Sequence, residues 1–132
     1  MAVTVRTGAY REVMTTARGR LMRLREDLLR HRAEVEESLA AMTVSQGDEG
    51  TIATHIADAA SDLLEAQTTV GALARIDAEL AEVDAALDRL ERGTYGVCID
   101  CGEMIDPARL KALPTATRCL RCQTHFEYRT GA

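Results

Sequence analysis

Two Cys-x-x-Cys pairs, Cys98 with Cys101 and Cys119 with Cys122, constrain this chain more than any other feature. They hold all four of its cysteines and fall within residues 95–122, YGVCIDCGEMIDPARLKALPTATRCLRC. Two residues between thiolates let the backbone turn tightly enough for both sulfurs to face one ion. The 17 residues between the pairs lie inside the spacing window of a tetrahedral four-cysteine zinc site. Gly102 follows the first pair, where such a knuckle favours a residue tolerant of positive φ. Two disulfides would need an oxidising compartment, and Met1 begins no apolar signal segment. A thioredoxin-like redox motif calls for one pair beside a βαβ pattern, which is missing here. The expectation is one structural Zn2+ ion, because four thiolates close the coordination sphere and leave no position for a substrate or an activated water. No HExxH or HxE segment accompanies the cysteines, and His31, His55 and His125 are scattered, which disfavours a metal-dependent hydrolase. Arg118 and Arg121 are expected to ease the crowding of negative thiolate charge.

Composition narrows the rest. The 132 residues include one Phe, three Tyr and no Trp, too few aromatics for a large globular core. A formal charge of −5 argues against general affinity for a nucleic-acid backbone. No apolar run approaches the roughly 20 residues that span a bilayer. A cytoplasmic, soluble protein is expected.

Residues 1–8 lack periodicity and are expected to form a flexible N-terminus. From there Tyr10, Met14, Ala17, Leu21, Leu24, Leu28, His31 and Val35 alternate steps of four and three, a heptad seam on one helix face. His31 reads as an accommodated interface residue, and Gly19 as a weakness of about 1 kcal/mol relative to Ala. The pattern stops at residues 43–51, TVSQGDEGT, a turn signal. It resumes through Ile56, Ala59, Leu63, Ala66, Val70, Leu73, Ile76, Leu80, Val83, Leu87 and Leu90. Two successive three-residue steps, Val70–Leu73–Ile76, resemble a stammer. Thr51 or Thr54 is placed to cap this second helix and Gly93 to end it. The fold class is therefore mainly α: a long antiparallel coiled-coil hairpin over residues 9–93, its tip at about 43–60, followed by a four-cysteine zinc-finger module over 94–132. Within the module, Asp106-Pro107 reads as an N-cap with Pro at the first helical position, and Pro114 ends the short helix 108–113. Phe126 and Tyr128 are expected on a short C-terminal helix packed back on the base.

Charge supports the hairpin. Residues 1–33 carry eight Arg against Glu12, Glu26 and Asp27, and an antiparallel partner sets Glu79, Glu82, Asp84, Asp88 and Glu91 beside them. Residues 33–74 contain no Lys or Arg but hold Glu34, Glu36, Glu37, Asp48, Glu49, Asp58, Asp62 and Glu65. Folded as a hairpin, this is an acidic finger suited to a basic cavity or a bound cation; the plainer reading is a solvated, solubilising end.

The segment YGVCIDCGEMIDPARLKALPTATRC resembles the zinc segment of the DksA/TraR family of bacterial transcription regulators, through YGxCxxCG, ARLxAxP and the TAxxC approach to the second pair. The preceding hairpin resembles the family in length and layout. The resemblance implies a factor that binds RNA polymerase rather than DNA, enters its secondary channel and sets an acidic tip near the catalytic magnesium. The family's tip motif, Asp-x-x-Asp-x-Ala, falls on residues 55–60, where Asp58 and Ala60 match and His55 replaces the first Asp. Arg75 stands where DksA-like proteins have an Arg on the second helix, which the resemblance implies is a polymerase contact; the plainer reading is the first surface cation after the acidic stretch. The family's basic residues that serve the alarmone ppGpp correspond to Glu82, Leu113 and Gln123, none of them basic. By the same resemblance the chain is a shorter, divergent member, without the longer N-terminal extension and C-terminal helix.

The expected function is that of a monomeric, non-enzymatic regulator acting on RNA polymerase, with no sequence-specific DNA binding and no membrane association. Two alternatives stand beside it. One is a zinc-ribbon adaptor working through residues 95–132, where five cations against four acids make a poor phosphate site. The other is a coiled-coil interaction protein whose helices dimerise instead of folding back.

Overall fold

The computed structural model describes residues 8–44 and 52–131, with backbone alone for 43–44 and 52–55. Four helices follow in order: α1 Gly8–Val44, α2 Ile52–Arg92, α3 Pro107–Ala112 and α4 Leu120–Thr130. Leu, Ala, Arg, Glu and Met, all strong helix formers, dominate α1 and α2. Gly93, at φ +75°, ends α2 as expected. Gly8 already belongs to α1, one residue earlier than periodicity placed its start. Thr54 stands inside α2 and so does not cap it; Thr51 and the turn at 45–51 lie outside the described residues, as do residues 1–7.

The chain forms two compact units, one of Met1–Arg25 with Glu82–Ala132 and one of Glu26–Ala81. The first holds most of the fully buried side chains. Val13, Ala17 and Leu21 of α1, Val83 and Ala86 of α2, and Tyr95, Ile105, Leu110 and Ala116 beyond them are all buried. In the second, Leu28 and Ile76 are the buried residues among those described. Less apolar burial per turn there means lower local stability.

In each unit α1 and α2 run antiparallel. Arg25 Nε meets Asp84 at 2.9 Å in the first; in the second Arg32 Nε meets Asp77 at 2.7 Å, and Thr69 Oγ1 lies 4.0 Å from Met42 Sδ. As α1 advances from 32 to 42, its partner on α2 retreats from 77 to 69. These exposed ion pairs contribute little energy, but they fit the charge asymmetry between the strongly basic start of α1 and the acidic end of α2. Asp88 instead pairs with Arg92 on its own helix at 3.0 Å.

The seam differs from the sequence expectation on both helices. On α1 the half-buried and buried positions are Tyr10, Val13, Met14, Ala17, Arg20, Leu21, Leu24, Arg25, Leu28, Arg32, Val35, Leu39 and Met42, while His31 is exposed. The cause is geometric: at about 100° per residue His31 lies about 80° from Leu21 and Arg32 only about 20°. Arg32 takes the inner flank because its aliphatic stem covers apolar surface while its head reaches Asp77. On α2 the half-buried and buried positions are Asp62, Ala66, Thr69, Ala72, Leu73, Ile76, Leu80, Val83, Ala86, Leu87, Arg89 and Leu90. Thr69 and Asp62 stand where Val70 and Leu63 were expected, so the Val70–Leu73–Ile76 stammer is not formed. Ile56, Ala59, Leu63 and Val70, all expected on the seam, are exposed.

Candidate metal centre

The knuckle begins where α2 stops. The chain turns through Gly96 at φ +81° and Gly102 at φ +74°. Cys98 N donates to Glu103 O at 2.8 Å and Gly102 N to Cys98 O at 3.0 Å, closing the first Cys-x-x-Cys turn. Ile105 N donates to Gly96 O at 2.7 Å, and Val97 and Met104 form an antiparallel bridge. Gly96 has a second constraint. A Cβ there would lie 3.2 Å from Met14 Cε and 3.3 Å from Leu110 Cδ1, whereas one at Gly102 would meet nothing within 4 Å. Met14, placed on the coiled-coil seam by periodicity, therefore reaches the zinc module.

Asp106 caps α3 by accepting from Ala108 N at 2.8 Å, with Pro107 in the first turn. Buried Leu110 anchors α3. The second pair sits at the start of α4: Cys119 is its N-cap, and its Sγ accepts from Cys122 N at 3.5 Å. A helix N-terminus favours the anionic thiolate. The Ile99 N–H to Thr117 O bond of 3.0 Å joins the two knuckles.

The four sulfurs of Cys98, Cys101, Cys119 and Cys122 lie within 4.8 Å of one another, and the Cys101 and Cys119 sulfurs are 3.9 Å apart. That separation is far too long for a disulfide and close to the about 3.8 Å edge of a tetrahedron with Zn–S of about 2.3 Å. The electrostatics fit a dication. Burial pushes the Cys98 thiol up, but N–H groups of Cys101, Cys119 and Asp100 outweigh it and bring its pKa down to about 6. Cys122 is pushed up to about 12, chiefly by its hydrogen bond with Cys119, then by burial and the other thiols. Four thiolates this close repel unless a cation holds them, and a structural zinc ion does so.

The two arginines between and beside the ligands behave differently. Arg121 donates to Cys101, which raises its pKa first, with Glu103 at 3.8 Å adding to it. Arg118 turns away from the expected thiolate role. It pairs with Asp100 at 2.7 Å and stacks 4.0 Å from the centroid of Phe126. This Asp100–Arg118–Phe126 connection, which fastens α4 to the first knuckle, was missed because nothing in residue spacing signals it. Phe126 and Tyr128, expected to pack back on the base, are both exposed, at 37% and 88%, and α4 has no buried residue.

Outside the module, Asp58 and Ala60 are both exposed in the first turns of α2. The side chain of His55 lies outside the described residues. Arg75 is exposed on α2 and makes no ion pair among the described residues. No helix among the described residues is long and apolar enough to cross a membrane.

Comparison with known proteins agrees with this geometry. Residues 93–128 match the prokaryotic dksA/traR C4-type zinc finger. The RNA polymerase-binding transcription factor DksA of Caulobacter vibrioides is 33% identical over 110 residues, which are 83% of this chain and 72% of that protein. An uncharacterized protein of Aquifex aeolicus is 44% identical over 54 residues, covering 41% of this chain and 37% of that one. Among solved structures, the transcription factor DksA2 of Pseudomonas aeruginosa superposes with a TM-score of 0.79 at 30% identity, over 95% of this chain and 91% of that one. A four-cysteine zinc module following a helical hairpin, shared over most of the length of such relatives, makes this chain a member of the DksA/TraR family.

Proposed function

We propose that this protein binds RNA polymerase directly and modulates initiation by inserting the turn end of its helical hairpin into the secondary channel. The observation that carries the reading is the likeness to a protein named as an RNA polymerase-binding transcription factor and to a solved transcription factor, extending through the hairpin as well as the zinc finger. The charge distribution supports it: residues 33–74 hold eight acids and no Lys or Arg, so a channel lined by cations or a hydrated magnesium ion would attract them. In this reading Asp58 is the acting carboxylate, Ala60 permits close approach of the partner backbone, His55 occupies the remaining motif position and Arg75 is an anchoring contact. The protein acts as a binding factor rather than an enzyme. It shifts the population of promoter complexes through differential affinity.

Co-purification tests the first step. Tagged protein should retain RNA polymerase core, and a photo-crosslinker at position 58 should label polymerase beside the secondary channel. Crosslinks confined to the outer surface of polymerase would defeat channel entry, and failure to retain core would defeat the reading.

A further inference from the structure

Each Cys-x-x-Cys turn is closed by its own backbone. In the first, Gly102 N donates to Cys98 O; in the second, Gln123 N donates to Cys119 O at 2.9 Å and Cys122 N to Cys119 Sγ. Bonds of this kind fix two sulfurs within one knuckle but do not set the gap between knuckles. Contacts of the sulfurs apart, that gap is crossed by the Ile99 N–H to Thr117 O bond and by two ion pairs. One ion pair is Arg121 with Glu103, 3.8 Å apart and about three-quarters exposed at both ends. The other is Arg118 Nε with Asp100 Oδ2, 2.7 Å apart, with side chains 20% and 46% exposed.

Position makes this second pair the stronger link. Asp100 immediately precedes Cys101 and Arg118 immediately precedes Cys119, the two ligands whose sulfurs lie 3.9 Å apart. The ion pair thus spans the same edge of the cluster, one residue back along each strand of the chain. Arg118 is also held from two further sides. Its guanidinium stacks on Phe126, one turn beyond Cys122 on α4, and its carbonyl oxygen accepts from Arg109 Nε of α3 at 3.1 Å. A charge-assisted bond whose cation is already ordered and half shielded contributes more than an open surface pair.

We propose that Asp100 and Arg118 are positioning residues of the metal centre, a clasp that holds the two knuckles at ligand distance and slows the loss of zinc. Four thiolates close the shell, so release requires sulfurs to part. Parting them within a knuckle breaks backbone turns, whereas parting the knuckles breaks the clasp. The opposite charges of the two residues make the idea testable. Acting through space alone, Asp100 would crowd the thiolates with more negative charge and Arg118 would relieve them, so their removal would have opposite effects. As a clasp, both removals act in the same direction.

Transfer of zinc from loaded, full-length protein to excess coloured chelator reads the release rate and needs no polymerase. Asp100→Asn and Arg118→Gln should each speed release about fivefold, with one zinc per chain and the helical content kept. The double variant should release no faster than Arg118→Gln alone, because there is one pair to lose. Arg118→Lys, which keeps the charge, should recover part of the retention. Glu103→Gln should release at the parent's rate, since its pair is longer and open to water. An unchanged rate in Asp100→Asn overturns the proposal. So does slower release with Asp100→Asn beside faster release with Arg118→Gln, which would show a field effect only. Additive acceleration in the double variant, acceleration by Glu103→Gln equal to that by Asp100→Asn, or complete loss of zinc binding in either single variant would overturn it as well.

Discussion

The hydroxyl of Tyr95 donates a 2.7 Å hydrogen bond to the carbonyl oxygen of Pro114. One bond thereby joins the residue that opens the zinc module, three positions before Cys98, to the segment that follows α3. Tyr95 is only 2% exposed and is among the largest fully buried side chains. Tyr95→Phe keeps the ring and strands the carbonyl, so it should cost about 1 kcal/mol. Tyr95→Ala also empties the site and should cost about 3–5 kcal/mol. Burial raises the Tyr95 pKa above its ordinary value, with Arg20 and Arg89 partly opposing. The neutral phenol is thus favoured in the folded state. Its contribution is full below about pH 10 and declines as pH climbs through the raised folded value. Unfolding curves of parent and Tyr95→Phe should converge above pH 10; parallel curves would show that the phenol does not titrate against folding.

Metal content is the second expectation. Reducing-purified protein should hold about one zinc per chain. Serine at Cys98, Cys101, Cys119 or Cys122 should lower zinc affinity and loosen the module. Most helical signal should survive, because α3 and α4 contain 6 and 11 residues against 37 and 41 in α1 and α2. Metal analysis with circular dichroism before and after chelation reads both. Collapse of the whole helical signal on zinc removal would mean that the hairpin cannot hold without the metal.

Glycines separate strain from space. Gly19 is helical with nothing within 4 Å of an added Cβ, and Gly71 is likewise. Ala at either should stabilise by about 0.5–1 kcal/mol. Gly96→Ala should destabilise instead, since it combines positive φ with a close approach to Met14 and Leu110. Gly102→Ala meets only the φ penalty and should cost less. Thermal unfolding should order the variants as Gly19→Ala above parent, then Gly102→Ala, then Gly96→Ala.

The cysteine spacing and the Asp106-Pro107 start of α3 were legible because each is a local rule: ligand geometry and a cap act within a few residues. The antiparallel pairing was legible from charge blocks, since Arg25 and Asp84 need only opposite sign and matching register. What failed was the azimuth of single residues. Heptad spacing placed His31, and apolar identity Leu63 and Val70, on the seam, but the choice between neighbours such as Thr69 and Val70 depends on the partner helix. Side chains that join separate turns, as Arg118 joins Asp100 and Phe126, depend on tertiary placement and leave no periodic trace.

An absent response is the fourth expectation, and it follows from family resemblance combined with charge. Glu82 and Leu113 are exposed, and Gln123 is engaged with Glu127 at 2.9 Å, so the three corresponding positions offer no cation to a polyphosphate. With polymerase lacking its other alarmone site, ppGpp should add nothing to this protein's effect on transcription. Clear potentiation would place the alarmone on other residues.

The last expectation concerns Asp58. It is exposed in the second turn of α2, in a stretch without Lys or Arg, and makes no ion pair among the described residues. Asp58→Asn preserves shape and removes the charge. If the carboxylate acts on channel cations or on magnesium-bound water, this change should largely spare polymerase binding and abolish the transcriptional effect. Arg75→Ala should do the reverse, weakening binding while leaving the effect intact at saturating protein. His55→Asp would set a second carboxylate three residues before Asp58, one helical turn away, and should strengthen the effect by adding charge at the same end. Affinity for core polymerase and promoter-complex lifetime, measured on the same variants, separate the two roles. Should Asp58→Asn regulate like the parent while Arg75→Ala loses only binding, the protein works by filling the channel, and its acids serve as a solvated end.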